Sequence, residues 1–81
     1  MNVMYFAWVR ERIGVPFEDV QTTAETVSDL VAELSVREDR YAAAFADVSA
    51  LRVALDQELA DFSAPLAGVR EVAFFPPMTG G

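Results

Sequence analysis

The sequence predicts one α+β domain in which a mixed sheet of about five strands curls over one main helix. The chain has 81 residues, which is enough for a single small core. Apolar, strand-like segments lie at both ends of the chain, and the clearest helical pattern lies between them. Because the terminal segments are also the most apolar, we expect them to pair in parallel at the centre of the sheet.

The N-terminal part of the chain predicts a strand, a helical turn and a second strand. Residues 3–8 form a short apolar run rich in valine and aromatic side chains, which is typical of a strand. Residues 10–13 favour a short helical turn, and Gly14 is placed to end it. Residues 17–21 follow Pro16, which lacks a backbone donor, so we expect an edge strand there.

The middle of the chain carries the main helix, over residues 27–37. One apolar stripe runs along it at the i, i+3, i+4 and i+7 positions. The stripe consists of Val27, Leu30, Val31 and Leu34. Thr26 is a suitable N-cap, and Asp29, three residues later, resembles the second member of a capping box. An alanine-rich segment over 40–46 favours a second helical piece.

Three further strands are predicted in the C-terminal half. Residues 51–55 alternate between apolar and other side chains, which indicates a half-buried strand. A turn at residues 56–57 leads into a brief strand over 58–60, and residues 64–68 have the composition of another turn. The last strand covers 71–75 and stops where two prolines remove consecutive backbone donors.

A short tail follows the last strand. We therefore divide the chain into a domain over 1–75 and a flexible tail over 76–81. Six extended residues reach about 20 Å, and Pro76-Pro77 favours a stiff exit from the domain. Gly80-Gly81 has no side chains, so the backbone can pass into a narrow site on another protein. Terminal residues are also often disordered without a function, so the diglycine alone does not identify the protein.

Composition and charge exclude several classes of function. Thirteen acidic and six basic residues give a net charge of −7, which disfavours nucleic acid and anionic membranes as partners. The chain has no Cys and no His, so it lacks disulfides and the usual transition-metal ligands, and we expect no bound cofactor. All six basic residues are Arg. With no membrane-length apolar segment and no signal peptide, we expect a cytoplasmic protein.

The whole chain resembles the small subunits of molybdopterin synthase, a family of ubiquitin-like sulfur carriers with the β-grasp fold. Three stretches carry the resemblance. They are Tyr5-Phe6-Ala7-Trp8-Val9-Arg10-Glu11, Thr26-Val27 with Leu30, and Glu71-Val72-Ala73-Phe74-Phe75-Pro76-Pro77-Met78-Thr79-Gly80-Gly81. The last stretch is the most specific, because it matches the family's C-terminal signature almost residue for residue.

The resemblance implies sulfur transfer through the C-terminal carboxylate of Gly81. A ubiquitin-activating-type adenylyltransferase uses ATP to adenylate Gly81, and the persulfide of a sulfurtransferase then displaces AMP to leave a thiocarboxylate. In the large subunit of a heterotetrameric synthase, this group donates its sulfur to the molybdopterin precursor during molybdenum cofactor biosynthesis. The chain is thus expected to be a non-catalytic subunit that is not an enzyme on its own.

The resemblance also implies roles for residues outside the diglycine. Phe6, Leu59 and Phe75 would be interface anchors for the large subunit, and Arg10 would contact that subunit or the activating enzyme. The residues that insert with the tail would be Pro76, Pro77, Met78, Thr79 and Gly80. Core packing remains the alternative for the aromatic residues, and a structural ion pair remains the alternative for Arg10.

Three other functions stay open at this point. The nearest alternative is another β-grasp sulfur carrier, which would serve thiamine, cysteine or tRNA thiolation. A second alternative is a ubiquitin-like protein modifier that forms isopeptide bonds. A stand-alone enzyme would need a catalytic pair such as Glu38 and Asp39, but adjacent acids at a helix end are usually solvated.

Overall fold

The computed structural model describes residues 1–77, and Met78, Thr79, Gly80 and Gly81 lie outside the described part. The strands are β1 (Asn2–Tyr5), β2 (Phe17–Asp19), β3 (Arg52–Leu55), β4 (Glu58–Ala60) and β5 (Glu71–Phe75). The helices are α1 (Ala7–Ile13), α2 (Val27–Arg37) and α3 (Asp39–Ala44), with a 3₁₀ turn at Val48–Ala50. The division into a domain and a tail after residue 75 stays a prediction.

The strands form one mixed five-stranded sheet in the order β2-β1-β5-β3-β4. Strands β1 and β5 pair in parallel, and the remaining neighbours pair antiparallel. The prediction that the first and last strands meet in parallel is confirmed, and β5 is the central strand. This arrangement of a mixed sheet with helices is α+β, as predicted.

All three helices pack on one face of the sheet and share one hydrophobic core with it. The predicted stripe of α2 is fully or almost fully buried. From the sheet, the buried side chains of Tyr5 and Phe74 stack with ring centroids 6.3 Å apart. Phe45, which follows α3, meets Phe74 edge-on at 5.0 Å, a favourable aromatic geometry. Phe74 therefore joins the central strand to the helical layer.

The chain leaves β1 earlier than the apolar run suggests. The strand predicted over 3–8 ends at Tyr5, and α1 begins at Ala7, so the prediction that Trp8 lies in a strand is wrong. The Phe6 N–H still donates to the Phe74 carbonyl at 3.1 Å. Ala7 then adopts φ 53°, a left-handed conformation that turns the backbone out of the sheet. This turn depends on a contact 68 positions along the chain, which a local pattern does not contain.

Helix α1 begins three residues before the turn predicted over 10–13, and the predicted elements that follow it agree with the structure within two residues. Helix α2 has the predicted bounds, and the Thr26 hydroxyl accepts from the Asp29 N–H as an N-cap. Asp56 and Gln57 both have positive φ, which is the conformation of the tight turns that suit antiparallel hairpins. Strand β2 is an edge strand, as its preceding proline indicated.

A carboxylate on the core side of the sheet is held by two tyrosines. Glu18 of β2 accepts hydrogen bonds from the hydroxyls of Tyr5 at 2.7 Å and Tyr41 at 2.5 Å. Arg40 adds a hydrogen bond to the Tyr41 oxygen at 3.2 Å and another to the Ile13 carbonyl at 2.8 Å. Burial, followed by the hydrogen bond to Glu18, raises the pKa of Tyr41 from 10.0 to about 12 and that of Tyr5 above its usual range. The network ties the edge strand to α3 and to the end of α1.

The C-terminus of α1 provides a test of the fold. Gly14 has φ 97°, and its N–H donates to the Arg10 carbonyl at 2.7 Å. A methyl group would find only ordinary contact there, since the nearest heavy atom lies 3.9 Å away. Gly14→Ala should therefore lower the free energy of unfolding by about 1–2 kcal/mol through backbone strain alone. Urea unfolding followed by circular dichroism measures this change, and Gly14→Asn should lose less because Asn tolerates this conformation. Equal losses for both variants would contradict the explanation.

The tyrosine network predicts a specific response to alkaline pH. Tyr5 and Tyr41 are the two tyrosines of the chain, and both have raised pKa values. Unfolded tyrosines titrate near pH 10, so the folded state holds these protons more tightly above that pH. Below about pH 10 these two tyrosines should give the free energy of unfolding no dependence on pH. Above that value the free energy of unfolding should fall as pH rises towards 12. Tyrosinate absorbance should appear together with the loss of circular dichroism. Ionisation near pH 10 in a protein that is still folded would contradict the network.

Candidate functional site

The tail begins at the end of the central strand. Phe75 is the last residue of β5, and the half-buried Pro76 and Pro77 follow it. Strands β1 and β3 flank β5, so the tail leaves from the middle of the sheet rather than from a corner. We call the end of the sheet at which β5 finishes its tail end, and the opposite end its far end.

One face of the sheet carries none of the described helices, and we call it the outer face. Because strand residues alternate between faces, the register defines which side chains it presents. One row crosses all five strands and consists of Phe17, Met4, Ala73, Ala54 and Leu59. Each of these side chains is apolar. The row is therefore a continuous apolar band from one edge of the sheet to the other.

The three predicted anchors lie on this outer face. The hydrogen bond from the Phe6 N–H to the Phe74 carbonyl places Phe6 beside Phe75 at the tail end. Phe6 is 41% exposed and Phe75 is half-buried. Leu59 lies on edge strand β4, in the neighbouring row, and is 73% exposed. The structure thus brings Phe6 and Phe75 together and places Leu59 two strands away on the same face.

Arg10 lies one helical turn beyond Phe6, and its backbone N–H donates to the Phe6 carbonyl at 3.4 Å. It belongs to α1 and is exposed, and within residues 1–77 its guanidinium forms no ion pair. The alternative of a structural ion pair for Arg10 therefore finds no support in the described part of the chain. Its role in a contact with a partner stays a prediction.

Phe17 is an outer-face residue that the sequence analysis missed. It lies on edge strand β2, opposite Met4, and is 61% exposed. Its neighbour Glu18 points towards the core, so the strand has the reverse of the usual apolar-in, polar-out pattern. Because the hydroxyls that hold Glu18 inward come from two other elements, no signal in the local sequence indicated the facing of Phe17.

Charges differ between the two ends of the outer face. Arg52 lies opposite Phe75 at the tail end and is exposed, with its guanidinium donating to the Leu51 carbonyl at 2.8 Å. At the other end, Asn2 is in register with both Asp19 and Glu71. The Asp19 carboxylate pairs with the N-terminal ammonium of Met1 at 3.0 Å. The apolar band is thus flanked by the Arg52 cation near the tail and by the Glu71 carboxylate at the far end.

The described residues offer little for other chemistry. Glu38 and Asp39, the candidate acid–base pair, do not act as a pair, because Glu38 binds Arg40 at 3.2 Å and Asp39 occupies the first turn of α3. Among residues 1–77 we find no cluster of three acidic side chains placed to hold a metal ion. None of the described helices has the length and hydropathy needed to cross a membrane.

Comparison with known proteins identifies close relatives over the full chain. The model of the ThiS family matches residues 3–81. The "Molybdopterin synthase sulfur carrier subunit" of Escherichia coli strain K12 is 41% identical over 81 residues, which covers 100% of this chain and 99% of the relative. The protein of the same name from Haemophilus influenzae is 39% identical over 84 residues with the same coverage.

Two solved structures share the fold. SAMP1 from Haloferax volcanii superposes with a TM-score of 0.77 at 24% identity and covers 100% of this chain and 98% of its own. A putative molybdopterin converting factor subunit 1 from Pyrococcus furiosus gives a TM-score of 0.70 at 22% identity, with 95% of each chain covered. At these identities the likeness establishes the fold alone. Since the family model spans almost every residue and two relatives are about 40% identical from end to end, this chain belongs to the ThiS family.

Proposed function

We propose that this chain is the sulfur-carrier subunit of a molybdopterin synthase and bears a thiocarboxylate on Gly81. The observation that carries the proposal is the end-to-end identity of 41% and 39% to two relatives with that name. The apolar outer face next to the start of the tail supports it, because a carrier must dock while it presents its terminus.

The chemistry takes place on the terminal carboxylate. Attack of the Gly81 carboxylate on the α-phosphate of ATP forms an acyl-adenylate and releases pyrophosphate. The terminal sulfur of a sulfurtransferase persulfide then attacks the activated carbonyl, AMP leaves, and an acyl disulfide joins the two proteins. A second thiol, on the sulfurtransferase or from a small-molecule reductant, cleaves the S–S bond, so that the thiocarboxylate is released and the sulfurtransferase cysteine and that thiol form a disulfide. The chain has no Cys, so its terminus is the only place where it can carry reactive sulfur in this way.

The folded domain contributes binding and direction. β5 is fixed by hydrogen bonds on both sides, so Phe75 gives the tail a rigid origin. Pro76 and Pro77 restrict the backbone at the exit and reduce the entropy lost when a partner encloses the tail. Phe6, Phe75 and Leu59 would bury apolar surface against the large subunit. The activating enzyme and the sulfurtransferase are further partners that we propose, with ATP used by the former.

The function can be tested by intact-mass spectrometry. The full chain is incubated with its activating enzyme, ATP, a sulfurtransferase and a sulfur source. We expect a mass increase equal to the exchange of one oxygen for sulfur, located at Gly81, because the terminal carboxylate is the activated group. A variant that lacks Gly81 should show no increase and should not support molybdopterin synthesis with the large subunit.

The same experiment separates the alternatives. No sulfur gain with authentic partners, or full synthase activity of the chain without Gly81, would contradict a thiocarboxylate carrier. Gly81 joined to target lysines in a digest would instead indicate a protein modifier. Sulfur gain without binding to the large synthase subunit would indicate a carrier for another thiolation pathway.

The anchors can be tested with a matched pair of exposed residues. Leu59→Ser should weaken binding to the large subunit about tenfold, because it removes an anchor from an apolar contact. Val36→Ser is the control, since Val36 is 87% exposed on α2, on the helical side of the sheet. Isothermal titration calorimetry measures both affinities. Neither variant should change the free energy of unfolding by more than about 0.5 kcal/mol. Equal affinities for the two variants would exclude Leu59 from the interface.

A further inference from the structure

The outer face extends beyond the three anchors, to the edge strand on the other side of the sheet. Met4 and Ala73 continue the apolar band from Leu59 and Ala54 to Phe17. Phe17, at 61% exposure, is the most exposed aromatic side chain of the described residues. A large exposed apolar side chain that continues an apolar band is typical of an interaction surface.

The core holds Phe17 on the outer face. Strand β2 has three residues, and its neighbouring side chains must point to opposite faces. Glu18 points inward, where the hydroxyls of Tyr5 and Tyr41 both donate to its carboxylate. A one-residue slip of the strand would bury Phe17 but would move the carboxylate away from both donors. The network therefore keeps Phe17 on the outer face of the sheet. It also reduces the conformational entropy lost when a partner contacts Phe17.

The position of the tail indicates which partner covers this face. The tail leaves β5 beside Phe6 and Phe75, and six residues reach about 20 Å. A protein that encloses the tail up to Gly81 must therefore stand close to the sheet. The charges at the two ends of the band give that contact a direction, since Arg52 favours an acidic group near the tail entrance. At the far end Glu71 favours a basic group, whereas the Asp19 carboxylate already pairs with the N-terminal ammonium of Met1.

We propose that the surface that docks the tail-accepting large subunit spans all five strands, with Phe17 as an anchor and Glu18 as the residue that positions it. This inference rests on the proposed function. It adds a contact on the β2 side, away from Leu59, and a charge pattern that the partner must complement.

The first test is the affinity of Phe17→Ser for the large synthase subunit, measured by isothermal titration calorimetry with the full chain. We expect binding about tenfold weaker than for the unsubstituted chain, with sulfur loading of Gly81 retained. Val36→Ser again serves as the control for loss of an exposed apolar side chain away from the band. Hydroxyl-radical footprinting should show that Phe17 is protected in the complex and reactive in the free chain.

A double-mutant cycle tests the positioning role of Glu18. Glu18→Val removes the acceptor of both tyrosine hydroxyls and should weaken binding when Phe17 is present. In the Phe17→Ser background the same change should have little further effect, because Glu18 acts through Phe17. Glu18→Gln should largely restore binding, since its amide oxygen can still accept from the tyrosines. If Glu18 only stabilised the fold, Glu18→Val would lower the affinity for the large subunit by the same factor with and without Phe17→Ser.

The outcomes separate this inference from the function on which it rests. If the unsubstituted chain neither gains sulfur nor binds the large subunit, the proposed function fails and the inference fails with it. If it does both and Phe17→Ser binds equally well, the inference alone is overturned. Concentration-dependent self-association that Phe17→Ser abolishes, seen by sedimentation, would assign Phe17 to a contact between copies and would also overturn it.

Discussion

The parallel pairing of β1 with β5 is the constraint on which the rest of the structure depends. It places the last strand at the centre of the sheet, with β1 on one side and β3 on the other. Phe74 can therefore reach the helical layer and stack on Tyr5. The pairing joins the two ends of the chain, so it costs the loop-closure entropy of almost the whole sequence. Its position also means that the tail starts from the best-supported strand of the domain.

The same pairing connects the fold to the site. Phe6 is placed beside Phe75 only because β1 runs alongside β5, and the hydrogen bond to the Phe74 carbonyl continues the ladder one step beyond β1. At the β2 edge of the sheet, the carboxylate of Glu18 connects β2 to α3 through Tyr41. The outer face is therefore a product of the core packing behind it. A continuous apolar band on a hydrogen-bonded sheet is suited to a partner that presents a complementary, equally preformed surface.

Local patterns predicted much of this architecture, and the exceptions have physical causes. Helix α2 could be placed residue by residue because its stripe is long and its cap is strong. β5 could be placed because two prolines end it. The end of β1 was missed because the left-handed conformation of Ala7 depends on a hydrogen bond to a distant strand. Phe17 was missed because its facing depends on hydroxyl groups that come from two other elements. In the site, the roles of Phe6, Leu59 and Phe75 were predicted from a family resemblance and not from periodicity. Alternation alone does not say which face of the sheet remains uncovered by helices.

The alternation within β5 separates two tasks that a single strand performs. Val72 and Phe74 belong to the core, whereas Ala73 and Phe75 belong to the face that a partner would cover. Substitutions at the first pair are therefore limited by packing, and those at the second pair are limited by recognition. During evolution, substitutions at Ala73 and Phe75 can therefore change which partner binds while the folded state is preserved. Protein engineers can use the same separation to redirect the carrier to a new acceptor without rebuilding its core.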